Sequence, residues 1–138
     1  MTEISDLSPS HNEGDYWLYA RSPRRPTGID PAFVGKWMVF ADEGAVDALW
    51  AVIRDAVERG ELSFSAKVGT VLQRRDSQYG QHVICVYTAD HRDETERRRV
   101  RESLRSLGVT WTIGYKTDQA TRDGRYAGPG RGVTIERA

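Results

Sequence analysis

The chain is short of the residues that build covalent or metal-stapled folds. Cysteine occurs once in 138 residues, as Cys85, and histidine three times. A single thiol cannot close an internal disulfide, and one cysteine with three scattered histidines offers no zinc-ligand spacing. No metal or cofactor is therefore expected. Nor is there an apolar run near the ~20 residues that a membrane-spanning helix requires. The opening segment MTEISDLSPSHNEGD has neither the basic start nor the apolar stretch of a secretion signal, which makes a cytoplasmic location the expectation. Net charge is also missing: Lys plus Arg and Asp plus Glu balance at 20 each, so bulk electrostatics do not make the chain a general nucleic-acid binder. Any anion site has to be local.

What is present suits one globular domain. A hydrophobic content of 38% over this length can fill a core without staples. Residues 1–14 are polar and aperiodic and read as a mobile tail, leaving 15–138 as a single domain. Strands are expected at Asp15–Ala20, Gly35–Ala41, Phe64–Leu72, His82–Thr88, Trp111–Lys116 and in GVTIE at the end. The stripe Val46, Leu49, Trp50, Ile53 and Val57 predicts a helix that starts near Asp42 or Glu43 and stops at Gly60. A second helix is expected over Glu94–Leu107, with Asp93 and Glu96 resembling a capping box and Gly108 as terminator. QRRDSQYGQ reads as a turn or exposed loop, and GPGRG as a loop that lacks the strand–glycine–helix setting of a nucleotide-binding turn.

The order β-β-α-β-β-α-β-β, with short links between strands, predicts an α+β fold: a mainly antiparallel sheet with both helices on one face and the other face open. Side chains alternate across a strand, so Phe64, Ala66 and Val68 oppose Ser65, Lys67 and Gly69, while Trp111, Ile113 and Tyr115 oppose Thr112, Gly114 and Lys116. Helices on the apolar side would leave Lys67 and Lys116 on the open face. Lys36 is a third candidate, its side shared with Met38 and Phe40. Lysine is a compact charge suited to phosphate, and with a lowered pKa it can act as a base. The following segment YKTDQATRDGRY brings Asp118, Thr121, Arg125 and Tyr126 as further candidate ligand contacts. Trp17, Trp37 and Trp111 could stack on a base or belong to the core. The arginines at 97, 98, 99, 101 and 105 alternate with Glu94, Glu96 and Glu102 and read as a solvated, ion-paired helix face.

Five strings together, VGKWMVF, RGELSFSAKVGT, HVICVYTADHRDE, LGVTWTIGYKTD and DGRYAG, resemble the family typified by the basophilic-leukaemia-expressed protein, over about residues 34–127. Small bacterial relatives of that family carry the label of phosphothreonine lyase domain proteins. The resemblance implies a fold similar to that of the messenger-RNA cap-binding initiation factor, a curved antiparallel sheet backed by helices. It also implies a phosphorylated ligand, a peptide or small phosphate compound. The lyase label implies β-elimination, with Lys67, Lys36 or Lys116 as base and His82 or Tyr87 as acid. Bacterial phosphothreonine lyases carry a lysine and a histidine two apart on one strand, whereas Lys67 is followed by Gly69 and no Lys-x-His occurs here. The alternative is a non-catalytic module for a nucleotide or a cap-like RNA end.

Overall fold

The computed structural model describes residues 8–77, 80–119 and 134–138. Six strands, β1 Trp17–Arg21, β2 Gly35–Ala41, β3 Ser65–Gly69, β4 His82–Thr88, β5 Gly114–Thr117 and β6 Thr134–Arg137, form one curved, open sheet. Their spatial order is β1-β3-β4-β2-β5-β6, and the strand pairs are antiparallel. Three helices are described: α1 Glu43–Glu58, α2 Val71–Asp76 and α3 Glu94–Ser106.

The apolar stripe of α1 does what its spacing predicts. Val46, Trp50, Ile53 and Val57 are buried, with Ala56 beside them. They meet Val100 and Leu104 of α3 over one face of the sheet, built from Trp37, Val39, Ala66, Val68, Ile84, Val86 and Tyr115. Burial of these side chains contributes about 1.5–3 kcal/mol for each large one, which dominates the stability of the fold. Both long helices end as expected, with Gly60 at φ 74° and Gly108 at φ 110°, conformations that glycine reaches without a Cβ penalty. At the start of α3 the Asp93 carboxylate accepts from Glu96 N at 3.0 Å.

Four expectations need correction. The third strand stops at Gly69, and Val71–Asp76 forms a helix where strand and loop were expected. Thr70 turns the chain: its N–H and its hydroxyl both donate to the Tyr16 carbonyl, at 3.1 and 3.2 Å. Leu, Gln and Arg then favour helix over the alternation seen further upstream. The fifth strand begins at Gly114 rather than Trp111. The buried guanidinium of Arg101 explains this, because it donates to the carbonyls of Val109 (2.9 Å), Trp111 (2.7 Å) and Ala138 (2.9 Å) and so ties these backbones to α3. Asp15 and Tyr16 precede β1 instead of opening it. Finally, residues 8–14 are attached to the domain. Ser10 N donates to Asp47 Oδ1 at 3.0 Å, and buried Asn12 accepts from Gly14 N, Asp15 N and, through its carbonyl, Val71 N.

A tight contact lies at the start of β2. A Cβ placed on Gly35 would come 2.0 Å from Tyr115 Oη and 2.4 Å from Cζ, and Tyr115 is itself fixed by a 2.5 Å hydrogen bond to Thr88 Oγ1. Gly44, in the first turn of α1, has nothing within 4 Å of the same position. Gly35→Ala is expected to lower stability by about 1–3 kcal/mol through overpacking, and Gly44→Ala to raise it by up to about 1 kcal/mol. Urea denaturation of the two variants checks these opposite signs. Arg101→Lys, which cannot span three carbonyls, is expected to cost at least about 1.5 kcal/mol in the same assay.

Candidate functional site

The sheet face away from α1 and α3 is set by strand register. Lys67 on β3 lies opposite Tyr19 on β1 and opposite Cys85 on β4; Cys85 in turn faces Met38 on β2. One step along, Ser65 faces Tyr87, Tyr87 faces Lys36, and Lys36 faces Lys116 on β5. Facing residues in antiparallel strands have Cα atoms about 4.5–5.5 Å apart, so these side chains are immediate neighbours. The chain contains three lysines in all, and these are the three; its other seventeen cationic side chains are arginines.

The lysines are not ordinary surface residues. Lys36 is 2% exposed and Lys116 7%, and Lys67 is half-buried. Lys36 Nζ donates to Asp118 Oδ1 at 2.9 Å and stands 5.7 Å from the centre of the Tyr87 ring. Lys67 Nζ lies 3.9 Å above the Trp17 ring, a cation–π contact. Burial pushes the pKa of Lys67 below its ordinary value; the Lys36 charge pushes the same way, while Cys85 and Asp118 oppose it. Burial likewise lowers Lys116, helped by the charge of Lys36. The Cys85 thiol is raised by burial despite the three ammonium groups around it, and Tyr87 is raised by burial, which keeps its hydroxyl protonated. The arrangement is thus a set of partly desolvated cations bordered by aromatic rings. It can hold an anion by charge and hydrogen bonding, and more strongly than solvated lysines would.

The sequence-derived candidates divide accordingly. Lys36, Lys67, Lys116, Tyr87 and Asp118 come together. His82 does not join them. It is fully buried on the helix side of β4, and its Nδ1 lies 2.7 Å from the Gly69 carbonyl, which can only accept, so Nδ1 carries the proton. Parity explains the separation, since residue 82 alternates with Val83 and Cys85 and shares its side with Ile84 and Val86. Trp37 is likewise in the core. Its Nε1–H donates to the Arg97 carbonyl at 3.0 Å and its ring meets Tyr115 edge-on at 5.2 Å, so it is not available for ligand stacking. Thr121, Arg125 and Tyr126 lie outside the described residues. Among the described residues, no group of three or more His, Cys, Asp or Glu side chains could hold a metal ion, and no helix is long and apolar enough to cross a membrane.

Sequence reasoning missed Trp17 as the ring beneath Lys67 and Cys85 as a member of the lysine face. Parity within β1 and β4 was the available signal, but it needed the strand order to be used. A cleft of about 320 Å³ lies beyond the Tyr87 end of the sheet and is bordered by Arg24 and Arg99. Arg99 is engaged there with Glu96 Oε1 and Oε2 and the Leu62 carbonyl, each at 2.8 Å. On α3, Arg98 pairs with Glu94 and Arg105 with Glu102. These exposed pairs each contribute at most about 1 kcal/mol and mark a solvated helix face.

Solved structures share this fold at low sequence identity. A schistosome eIF4E complexed with m7GpppA and a 4E-BP superposes with a TM-score of 0.67 at 15% identity, over 95% of this chain and 74% of that one. C. elegans eIF4E-3 in complex with the 4E-binding protein Mextli gives 0.60 at 16% identity, over 88% and 69%. Ascaris suum eIF4E-3 with an m2,2,7G cap gives 0.56 at 18%, over 86% and 68%. These likenesses establish the architecture. Membership follows from the sequence itself: the model of the basophilic leukemia-expressed protein Bles03 matches residues 31–122, a stretch that runs from before β2 to beyond Asp118 and holds all three lysines, and the chain belongs to that family.

Proposed function

We propose that the open sheet face binds the phosphate groups of a nucleotide, free or at the end of an RNA, without covalent chemistry. The observation that carries this reading is the gathering of Lys36, Lys67 and Lys116 on one face of the sheet, two of them nearly inaccessible to water. Desolvating an ammonium group is costly, and the cost is recovered when an anion is brought against it. Three such groups with their aromatic surround fit a polyphosphate better than a single carboxylate. Solved structures with the same fold hold m7GpppA and an m2,2,7G cap, which supports a nucleotide as the ligand class.

Elimination of phosphate from a phosphothreonine peptide is a second reading, favoured by one feature, the lowered pKa of Lys67. A half-buried amine of that kind can take up a proton. The reaction also needs a group to protonate the departing phosphate, and with His82 on the other side of the sheet, Tyr87 is the remaining candidate for that role. Tyr87 is held protonated, but burial makes it a weak acid. Binding without turnover is the better supported of the two.

Isothermal titration with a nucleoside triphosphate checks the proposal. Replacing Lys36 or Lys67 by Met is expected to weaken binding about tenfold or more each, since a hydrogen bond to a charged group contributes about 1.5–3 kcal/mol. Equal affinity in wild type and variants would contradict it. Formation of dehydrobutyrine from a phosphothreonine peptide, read as a loss of phosphoric acid by mass spectrometry, would instead favour the lyase reading.

The pH dependence has a definite sign. Lys67 and Lys116 titrate below 10.5 in the folded protein. Between their lowered values and 10.5 the unfolded chain binds more protons than the folded one, so these two groups make the unliganded protein more stable as pH rises through that window. Phosphate affinity is expected to fall across the same window, because the ligand requires the charged amines. Lys67→Arg, charged throughout, is expected to flatten part of that fall; an unchanged slope would contradict the role given to Lys67.

A further inference from the structure

Resting on the phosphate reading above, we infer that the aromatic base of the nucleotide lies in a depression between Phe40 and Trp111, on the same face and next to the lysines. The depression has a volume of about 470 Å³, and Phe40, Trp111, Met38, Gly114, Lys116 and Arg137 are among the residues that line it. Its size falls within the range typical of small-molecule sites, roughly 300–1,000 Å³. Phe40 is 36% exposed and Trp111 46%. Single exposed aromatics are common on protein surfaces, but two that line one concavity flanked by cations form a site with a stacking surface and a charged rim.

Three features link this depression to the lysines. Lys116 belongs to both: it lines the depression and is the register partner of Lys36. Phe40 lies four residues along β2 from Lys36 on the same face, about 13 Å away at the rise of a strand, so a ligand reaching from Lys36 past Lys116 arrives at the aromatic pair. Gly114, between them on β5, carries no side chain of its own, and Thr134 Cγ2 of β6 stands 3.2 Å from where its Cβ would be, so Thr134 forms the floor there. The Trp111 backbone is also held in place, because its carbonyl accepts from Arg101 at 2.7 Å and Arg101 is anchored in α3. With that backbone fixed, only the Trp111 side chain has to be ordered on binding. The charge at the rim, Lys116 and Arg137, matches a nucleotide and gives no reason to prefer an uncharged apolar occupant.

The test compares three probes, inorganic tripolyphosphate, a nucleoside triphosphate and a phosphothreonine peptide, on wild type, Phe40→Ala, Trp111→Ala and Trp111→Phe. Wild type is expected to bind the nucleoside triphosphate more tightly than tripolyphosphate. Phe40→Ala and Trp111→Ala should each reduce that margin by about tenfold and leave tripolyphosphate affinity unchanged, which also shows that the variants are folded. Trp111→Phe, which keeps a ring, should retain most of the margin. If tripolyphosphate binds through the lysines but the nucleotide margin is absent, or survives both alanine variants, the base position is overturned and the phosphate site stands. Tighter binding of the phosphopeptide, lost in Trp111→Ala, would overturn it in favour of a peptide ligand. Failure of wild type to bind either tripolyphosphate or nucleotide overturns both readings.

Discussion

The pairing of β2 with β5 places Lys36 against Lys116, and like charges at such a separation repel unless opposite charge is close by. Much of the surrounding structure answers to that constraint. Asp118, one residue beyond the end of β5, supplies a carboxylate to Lys36, and its N–H donates to the Val34 carbonyl at 2.8 Å, which ties the end of β5 to the start of β2. Tyr87 offers a ring face to Lys36, and Trp17 does the same for Lys67. A sheet face that keeps three amines partly out of water is expensive to build when the same positions could hold threonine or valine. The arginines show the contrast, since on α3 they are mostly paired with glutamates in solvent or, like Arg101, spent on backbone carbonyls. Lysine, the compact charge, is kept for the open face.

The helix-covered face makes this possible. Trp37, Val39, Ile84, Val86 and Tyr115 bury their side chains under α1 and α3, so the strands can be held rigidly without help from the opposite side. Gly35 shows how closely that face is packed, because Tyr115 occupies the volume a side chain would need. The residues alternating with this core, Lys36, Met38, Cys85, Tyr87 and Lys116, are consequently directed to the open side by the backbone, and Lys36 is further held by Asp118. Rigid strands placing charged groups toward an uncovered face is an arrangement suited to recognition of a fixed ligand shape.

Much of this was legible in the chain. β2 and β4 match their expected bounds to the residue, because GKWMVFA and HVICVYT are β-rich runs flanked by turn residues. The α1 stripe and the terminating glycines were equally plain. Parity also assigned Lys67 and Lys116 to the face away from Ala66, Val68 and Tyr115. What could not be read was tertiary. Strand order is not encoded in local pattern, so the adjacency of Lys36 and Lys116 and the place of Trp17 under Lys67 were hidden. Val71–Asp76 reads locally as the tail of a strand until Thr70 is seen tied back to residues near the N-terminus. His82 and Trp37 were candidates through their polar or aromatic character, while their positions on the strand put them beneath the helices. Trp111 escaped strand geometry because a distant arginine holds its carbonyl.

Since the chain has only three lysines, their side chains can be observed selectively. The most direct test is NMR of protein labelled with 13C and 15N at lysine alone, titrated with a nucleoside triphosphate. Three sets of lysine signals are expected, all of which move together with the triphosphate and remain in place with the unphosphorylated nucleoside. Lysine signals that stay unchanged at millimolar triphosphate would contradict the claim that this face is a phosphate site.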